Sequence, residues 1–165
     1  MRKITLVLTA LASLAIASTS QAAIGWTLDE CKSHFHDDHP LSTGKDDLGL
    51  DQYMFNAQGF RITVAFDETE KVISVMYLTP SFEDGDIDKI LKNNAPNAKW
   101  EEGSNHGVFA DTSKPAYWFA TENGKHNYFA VLTSAMVFGT PMKRLQVSSV
   151  KINDLIEQSR KSSDL

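Results

Sequence analysis

The chain has a single cysteine, Cys31, so no disulfide can form within it, and its stability has to come from packing. It is also short of basic residues. After Arg2 and Lys3 only 14 of the 16 Lys and Arg remain, against 21 Asp and Glu, which gives residues 23–165 a net charge of about −7. No basic stripe is left to neutralise phosphates, so nucleic acid is excluded as an expected partner, and an acidic surface disfavours anionic lipid. Beyond residue 22 no apolar run approaches the roughly 18–20 residues a membrane helix needs, so no membrane insertion is expected. The sequence holds no Gly-x-Ser-x-Gly elbow, phosphate loop or dinucleotide fingerprint, and no serine sits in a recognisable nucleophile turn.

The N-terminal stretch says where the protein works. Arg2 and Lys3 precede an apolar run over residues 4–17, and Ser20-Gln21-Ala22 places small residues where a signal peptidase reads. This predicts a signal peptide over 1–22, cleaved before Ala23, and an exported protein, periplasmic or extracellular. The remaining 143 residues fit a single secreted domain (23–165), and 42% apolar content is enough for a core. A lipidated cysteine would have to sit at the cut, whereas Cys31 lies eight residues past Ala23, so no lipid anchor is expected. Cys31 itself reads as a small buried residue on a helix face, with a reactive or dimer-forming thiol as the alternative.

Trp26-Thr27-Leu28-Asp29-Glu30-Cys31 has the form of a helix start. Thr27 and Glu30 are spaced for a reciprocal capping box, Trp26 and Cys31 for a hydrophobic staple, and the helix is predicted to run to about His36. Residues 37–51, with Pro40, Gly44 and Gly49, read as a loop. Tyr53 and Phe55, then Phe60, Ile62, Val64 and Phe66, alternate as half-buried antiparallel strands around a turn at Ala57-Gln58-Gly59. Residues 72–78 are apolar almost throughout, which predicts a central strand covered on both faces. Asp86 is placed to cap a second helix bearing Ile87, Ile90 and Leu91 and ending at Asn94 and Pro96. Trp100 enters a further strand, and residues 103–115 read as a polar loop. Strands over 117–121 and 126–133 flank an Asn123-Gly124 turn, residues 135–138 and 145–147 add a further strand and an edge, and Ile152, Leu155 and Ile156 mark a closing helix. Tyr53-Met54-Phe55 and Tyr117-Trp118-Phe119, 64 residues apart, each precede a glycine turn and follow a short helix. Two helix-plus-hairpin units are a corresponding expectation.

One segment has the look of chemistry. His34-Phe35-His36-Asp37-Asp38-His39 resembles the His-x-His-x-Asp-His signature with which hydrolases of the metallo-β-lactamase fold hold zinc. His34, His36, Asp38 and His39 are therefore the metal candidates, for zinc or copper. In that family the motif follows an apolar strand; here it follows a capped helix, and Pro40 stops the helix from continuing through it. The competing reading is a histidine-rich helix end, favoured by the negative end of the helix dipole, running into an acidic loop. His106 and His126 read as solvated turn residues. Asp84, Asp86 and Asp88 lack the glycine position and distal glutamate of a calcium loop and read as an acid-dressed helix start. Trp100, Tyr117, Trp118, Phe119, Tyr128 and Phe129 read as core and cross-strand contacts, with the floor of a ligand groove as the alternative.

The order Gly25-Trp26-Thr27-Leu28-Asp29-Glu30-Cys31, then Tyr53-x-Phe55, then Phe60-x-Ile62-x-Val64-x-Phe66, then Lys71-Val72-Ile73 is similar to small bacterial envelope domains. The resemblance is to the outer-membrane assembly lipoproteins of the SmpA/OmlA type and to the β-lactamase-inhibitor-protein-like fold, and it covers residues 25–78. It implies a helix-on-sheet module used for protein contacts, without a catalytic residue set. The lipidated cysteine of those lipoproteins is missing here, and so is the Gly-x-Pro element that often ends their first helix. The sequence thus predicts an α+β domain, a mainly antiparallel sheet with short helices packed on one face. Its expected role is that of a non-enzymatic binding or accessory protein whose partner is another protein. A metal-binding protein using the histidine segment and a small hydrolase are the alternatives.

Overall fold

The computed structural model of the chain describes residues 23–103 and 114–163. Helix α1 (Leu28–Phe35) starts as its sequence requires. The Glu30 N–H donates to Thr27 Oγ1 at 3.3 Å, and the Thr27 N–H donates to the Glu30 carboxylate at 2.7 Å, so two of the helix's orphan donors are satisfied. Trp26 and Cys31, the staple pair, are both buried in the main core. The helix ends at His36, whose left-handed backbone (φ 54°) returns its N–H to the Lys32 carbonyl.

Four strands follow: β1 (Leu41–Lys45), β2 (Asp51–Ala57), β3 (Phe60–Phe66) and β4 (Val72–Thr79). After helix α2 (Asp86–Asn94) come β5 (Lys99–Glu102), β6 (Ala116–Glu122), β7 (Lys125–Val137), β8 (Thr140–Ser149) and helix α3 (Lys151–Ser163). All pairings are antiparallel, in one eight-stranded sheet of order β1-β2-β3-β4-β8-β7-β6-β5. Each half is one helix followed by a four-stranded meander, and the halves meet at β4 and β8. The recurring unit is therefore larger than a helix and a hairpin. Its register also differs from the offset of 64. The turns Gln58-Gly59 and Asn123-Gly124 correspond at an offset of 65, which matches Phe55 to Ala120, both fully buried, and leaves Phe119 46% exposed. Side chains alternate faces along a strand, so a one-residue shift moves every one of them to the other face.

One face of the sheet carries the main core. Phe55, Ile62, Val64, Val75, Tyr77, Trp118, Leu145 and Val147 pack there with Cys31 and Phe35 of α1 and Ile90 and Leu91 of α2. Asn94, fully buried at the end of α2, donates its amide to the Tyr77 hydroxyl (2.9 Å) and to the Ile90 carbonyl (2.8 Å). On the opposite face Ile152 and Leu155 of α3 pack against Leu50, Ala65, Ile73 and Phe129. The expectation that all short helices share one face is thus corrected. An apolar stripe requires a helix to cover something, but does not say which side of a sheet it covers.

β4 is buried at nearly every position and lies at the centre of the sheet, in keeping with its unbroken apolar run. Other boundaries differ from expectation. The segment read as a loop contains β1, which has no apolar alternation because it is an edge strand exposed along its length. Gly85 occupies the N-cap of α2, and the Asp86 carboxylate accepts from the Glu83 N–H (2.9 Å), outside the helix, where a helix-capping bond was expected. Residues 135–137 prolong β7, and Leu145 and Val147 belong to a central strand, not an edge.

Two stability experiments follow from this packing. Phe55→Ala empties a fully buried site and should cost about 3–5 kcal/mol in urea unfolding, whereas Thr27→Ala, which removes the cap, should cost about 1 kcal/mol. Burial also pushes the Cys31 thiol and the Tyr77 hydroxyl up to about 12, from ordinary values of 9.0 and 10.0. Between those values and 12 the unfolded chain gives up protons that the native state keeps. Stability should therefore hold below pH 9 and fall as pH rises toward 12, and a flat urea midpoint across that window would contradict the assignment.

Candidate functional site

The histidine segment lies where α1 ends. The His34 ring stands edge-on to Trp26, with centroids 4.6 Å apart and planes at 61°, and lies 5.3 Å from the Phe35 ring. Partial burial against these rings, with a smaller contribution from His36, lowers its pKa below the usual histidine value. His36 terminates the helix in the left-handed conformation, and the Asp37 carboxylate accepts from the His39 N–H at 3.1 Å, folding the next residues into a turn. This break prevents the i, i+4 spacing that a continuing helix would have given His34 and Asp38. His34, His36, Asp38 and His39 are all exposed, and no three of them come together. Among the described residues no group of three or more His, Cys, Asp or Glu side chains is arranged to hold a metal ion.

The remaining sequence candidates are placed as follows. Cys31 is fully buried in the core. Asp86 and Asp88 occupy the first turn of α2, as an acid-dressed helix start does, with Asp84 just before it. His126 is exposed, its Nδ1 3.2 Å from the Thr121 hydroxyl. His106 lies outside the described residues.

Two clefts differ in chemistry. One, of about 410 Å³, lies between the start of α1 and the β2–β3 strands and is lined by Thr27, Asp29, Asp51, Tyr53, Asp67 and Glu70. Asp67 is tied into its own turn by bonds from the Thr69 hydroxyl (2.6 Å), the Thr69 N–H (2.9 Å) and the Lys71 N–H (3.2 Å). Those bonds outweigh partial burial and hold its carboxyl below the ordinary range. The groups pushed furthest from their ordinary values, the Cys31 thiol and the Tyr77 hydroxyl, are in the core and line no cleft described here.

The second is an apolar groove of about 600 Å³ formed by Tyr117 and Phe119 of β6 and Phe129 and Val131 of β7, with His126, Tyr128, Val150 and Asn153 around it. Phe119 pairs with Phe129, and Tyr117 with Val131, across the two strands. These four point away from α1 and α2, while Trp118 and Ala130, their chain neighbours, point into the core. α3 packs against Phe129 and lines the groove with Asn153, and Phe119 is 46% exposed. The sequence reading placed these aromatics together in the core, and the structure divides them. A strand with one wet face usually carries polar residues at alternate positions; β6 has Tyr117 and Phe119 there, so its sequence gives no sign of which face is exposed.

The depressed His34 value has a direct check. In a proton NMR titration His34 should lose its proton at a pH below the ordinary 6.5, and the unfolded chain should take up that proton first as pH falls. Its contribution to stability is therefore complete above 6.5 and is lost below it. A midpoint at or above 6.5 would show that the ring is not packed against Trp26 in this way.

No protein-family model, no curated protein and no solved structure matches this chain.

Proposed function

We propose that this chain is an exported, non-enzymatic binding or accessory protein of the bacterial cell envelope, and that the aromatic groove on β6 and β7 is its docking surface for another protein. The observation that carries the reading is the groove. It joins Tyr117, Phe119, Phe129 and Val131 into a contiguous apolar surface beside α3, where Phe119 is 46% exposed. Large exposed apolar patches are rare on monomers and recur at contact sites, where tyrosine and phenylalanine are enriched. The charged start, apolar run and small residues of 1–22 support export. Among the described residues no helix is long and apolar enough to cross a membrane.

Metal binding by His34, His36, Asp38 and His39 is the second reading, carried by their spacing alone. Calorimetric titration with zinc and copper decides it, since binding at micromolar affinity or tighter would move the site of action from the sheet to the end of α1. A small hydrolase is the third reading, and hydrolysis by the purified protein that a substitution in the acidic cleft abolishes would establish it.

For the docking surface the decisive variant is Phe119→Asp, which places a charge in the groove at a position already half exposed. Immobilised protein should capture a partner from the envelope fraction, and the variant should lose about 2 kcal/mol or more of that affinity with an unchanged melting temperature. Equal capture by both proteins would remove the groove from the interface.

A further inference from the structure

The β7–β8 hairpin is longer than the sheet that holds it. Among the described residues β6 pairs with β7 as far as Ala116 and Leu132, and β4 pairs with β8 as far as Thr79 and Lys143. Residues 133–142 continue as a two-stranded arm closed by the turn Phe138-Gly139. Phe138 is 100% exposed and has φ 48°, a left-handed conformation disfavoured for a bulky residue; the same position holds Gln58 and Asn123 in the other two-residue turns. Met136, on the adjoining strand, is 68% exposed.

The two sides of the arm differ in what they offer. A two-residue turn closes on a pair that exchanges both of its main-chain bonds, here Val137 with Thr140. Counting back along β7, Ala135 and Thr133 also bond to β8, so the N–H and C=O groups of Ser134 and Met136 point away from it. On the β8 side the outward residue is Pro141, which has no N–H to offer. The outer edges of the sheet are also guarded. β1 has an irregularity between Ser42 and Gly44 and ends in Lys45, and β5 is four residues long and carries Lys99, Glu101 and Glu102. The β7 side, residues 133–137, has no charge, proline or glycine, and among the described residues its outward groups have no partner.

We propose that this side of β7 pairs with the same side of a second copy of the chain, forming a two-fold-symmetric dimer whose axis passes beside Ala135. In that register Ser134 of each copy exchanges main-chain bonds with Met136 of the other, so all the outward groups are satisfied at once. Ala135 faces its own counterpart at the site without direct hydrogen bonds, where Cα atoms approach to about 4.5 Å, and a methyl group suits that approach. Among the described residues the window without a pairing strand spans 133–137, and an antiparallel copy running 137 to 133 fills it. Phe138 of each copy is brought to the start of β6 of the other, at Ala116, and its ring leaves water. This match of edge to itself, in length, register and side-chain size, favours a second copy over an unrelated peptide.

Sedimentation velocity over a concentration series tests the proposal on the intact protein. The wild type should shift from monomer to dimer as concentration rises. Met136→Lys, which puts a charge on the edge without removing a bond to β8, should remain monomeric with an unchanged melting temperature. Ala135→Cys should form a reducible dimer under mild oxidation, because Cα atoms about 4.5 Å apart are within disulfide reach and Cys31 is buried. Ser42→Cys, on the β1 edge, should not. A wild type that stays monomeric throughout, a Met136→Lys protein that still dimerises, or an Ala135→Cys protein that fails to cross-link would each overturn the proposal. Phe119→Asp should leave the dimer intact, so the arm and the groove stand or fall separately.

Discussion

The pairing of β4 with β8 is what makes one sheet out of two meanders. On the core side Val75 lies opposite Val147 and Tyr77 opposite Leu145, all buried, and these residues tie the packing of α1 and α2 into a single cluster. On the other side the Ser74 and Ser148 hydroxyls meet at 2.8 Å, both buried, and the Gln146 amide donates to Ser74 at 3.1 Å. This arrangement fixes register. A slip of one residue would turn the hydroxyls into the apolar core and the valines out of it, and an unpaired buried hydroxyl is costly.

From this seam the two faces acquire different characters. The core face is sealed by helices that precede each meander, α1 before β1 and α2 before β5. Among the described residues the helix on the other face is α3, which follows the last strand directly and packs near Ala65 and Ile73. On β6 and β7 that helix packs against Phe129, while Phe119 is 46% exposed. The aromatic groove and the projecting arm both come from the second meander, so the halves share an order of elements but not a surface.

Much of this was legible in the residues. The capping box at Thr27 and Glu30, the turn at Asn123-Gly124 and the central position of residues 72–79 each follow from a local rule with one outcome. What was not legible has a common cause. Periodicity says which side chains share a face, yet nothing within a strand says whether a helix will cover that face. Phe119 and Phe55 are equivalent in the sequence for that reason, and the apolar stripe of α3 does not say which side of the sheet it covers. β1 escaped notice because an edge strand with two wet faces has no apolar pattern to read. For the histidines, spacing alone suggested ligands. The structure sets His36 in a left-handed cap and His39 in a turn, a local geometry that spacing does not encode.

The central seam also joins segments that lie far apart along the chain. Ser148 lies 74 residues after Ser74, so β4, the most apolar strand, is made long before the neighbour that completes it. Until β8 arrives, the first meander ends in an open, sticky border, and contacts so distant along the chain form slowly. A nascent molecule is therefore most vulnerable to aggregation when it is half made, and a chaperone that shields β4 during that interval would raise the yield of native protein more than one acting on the finished chain.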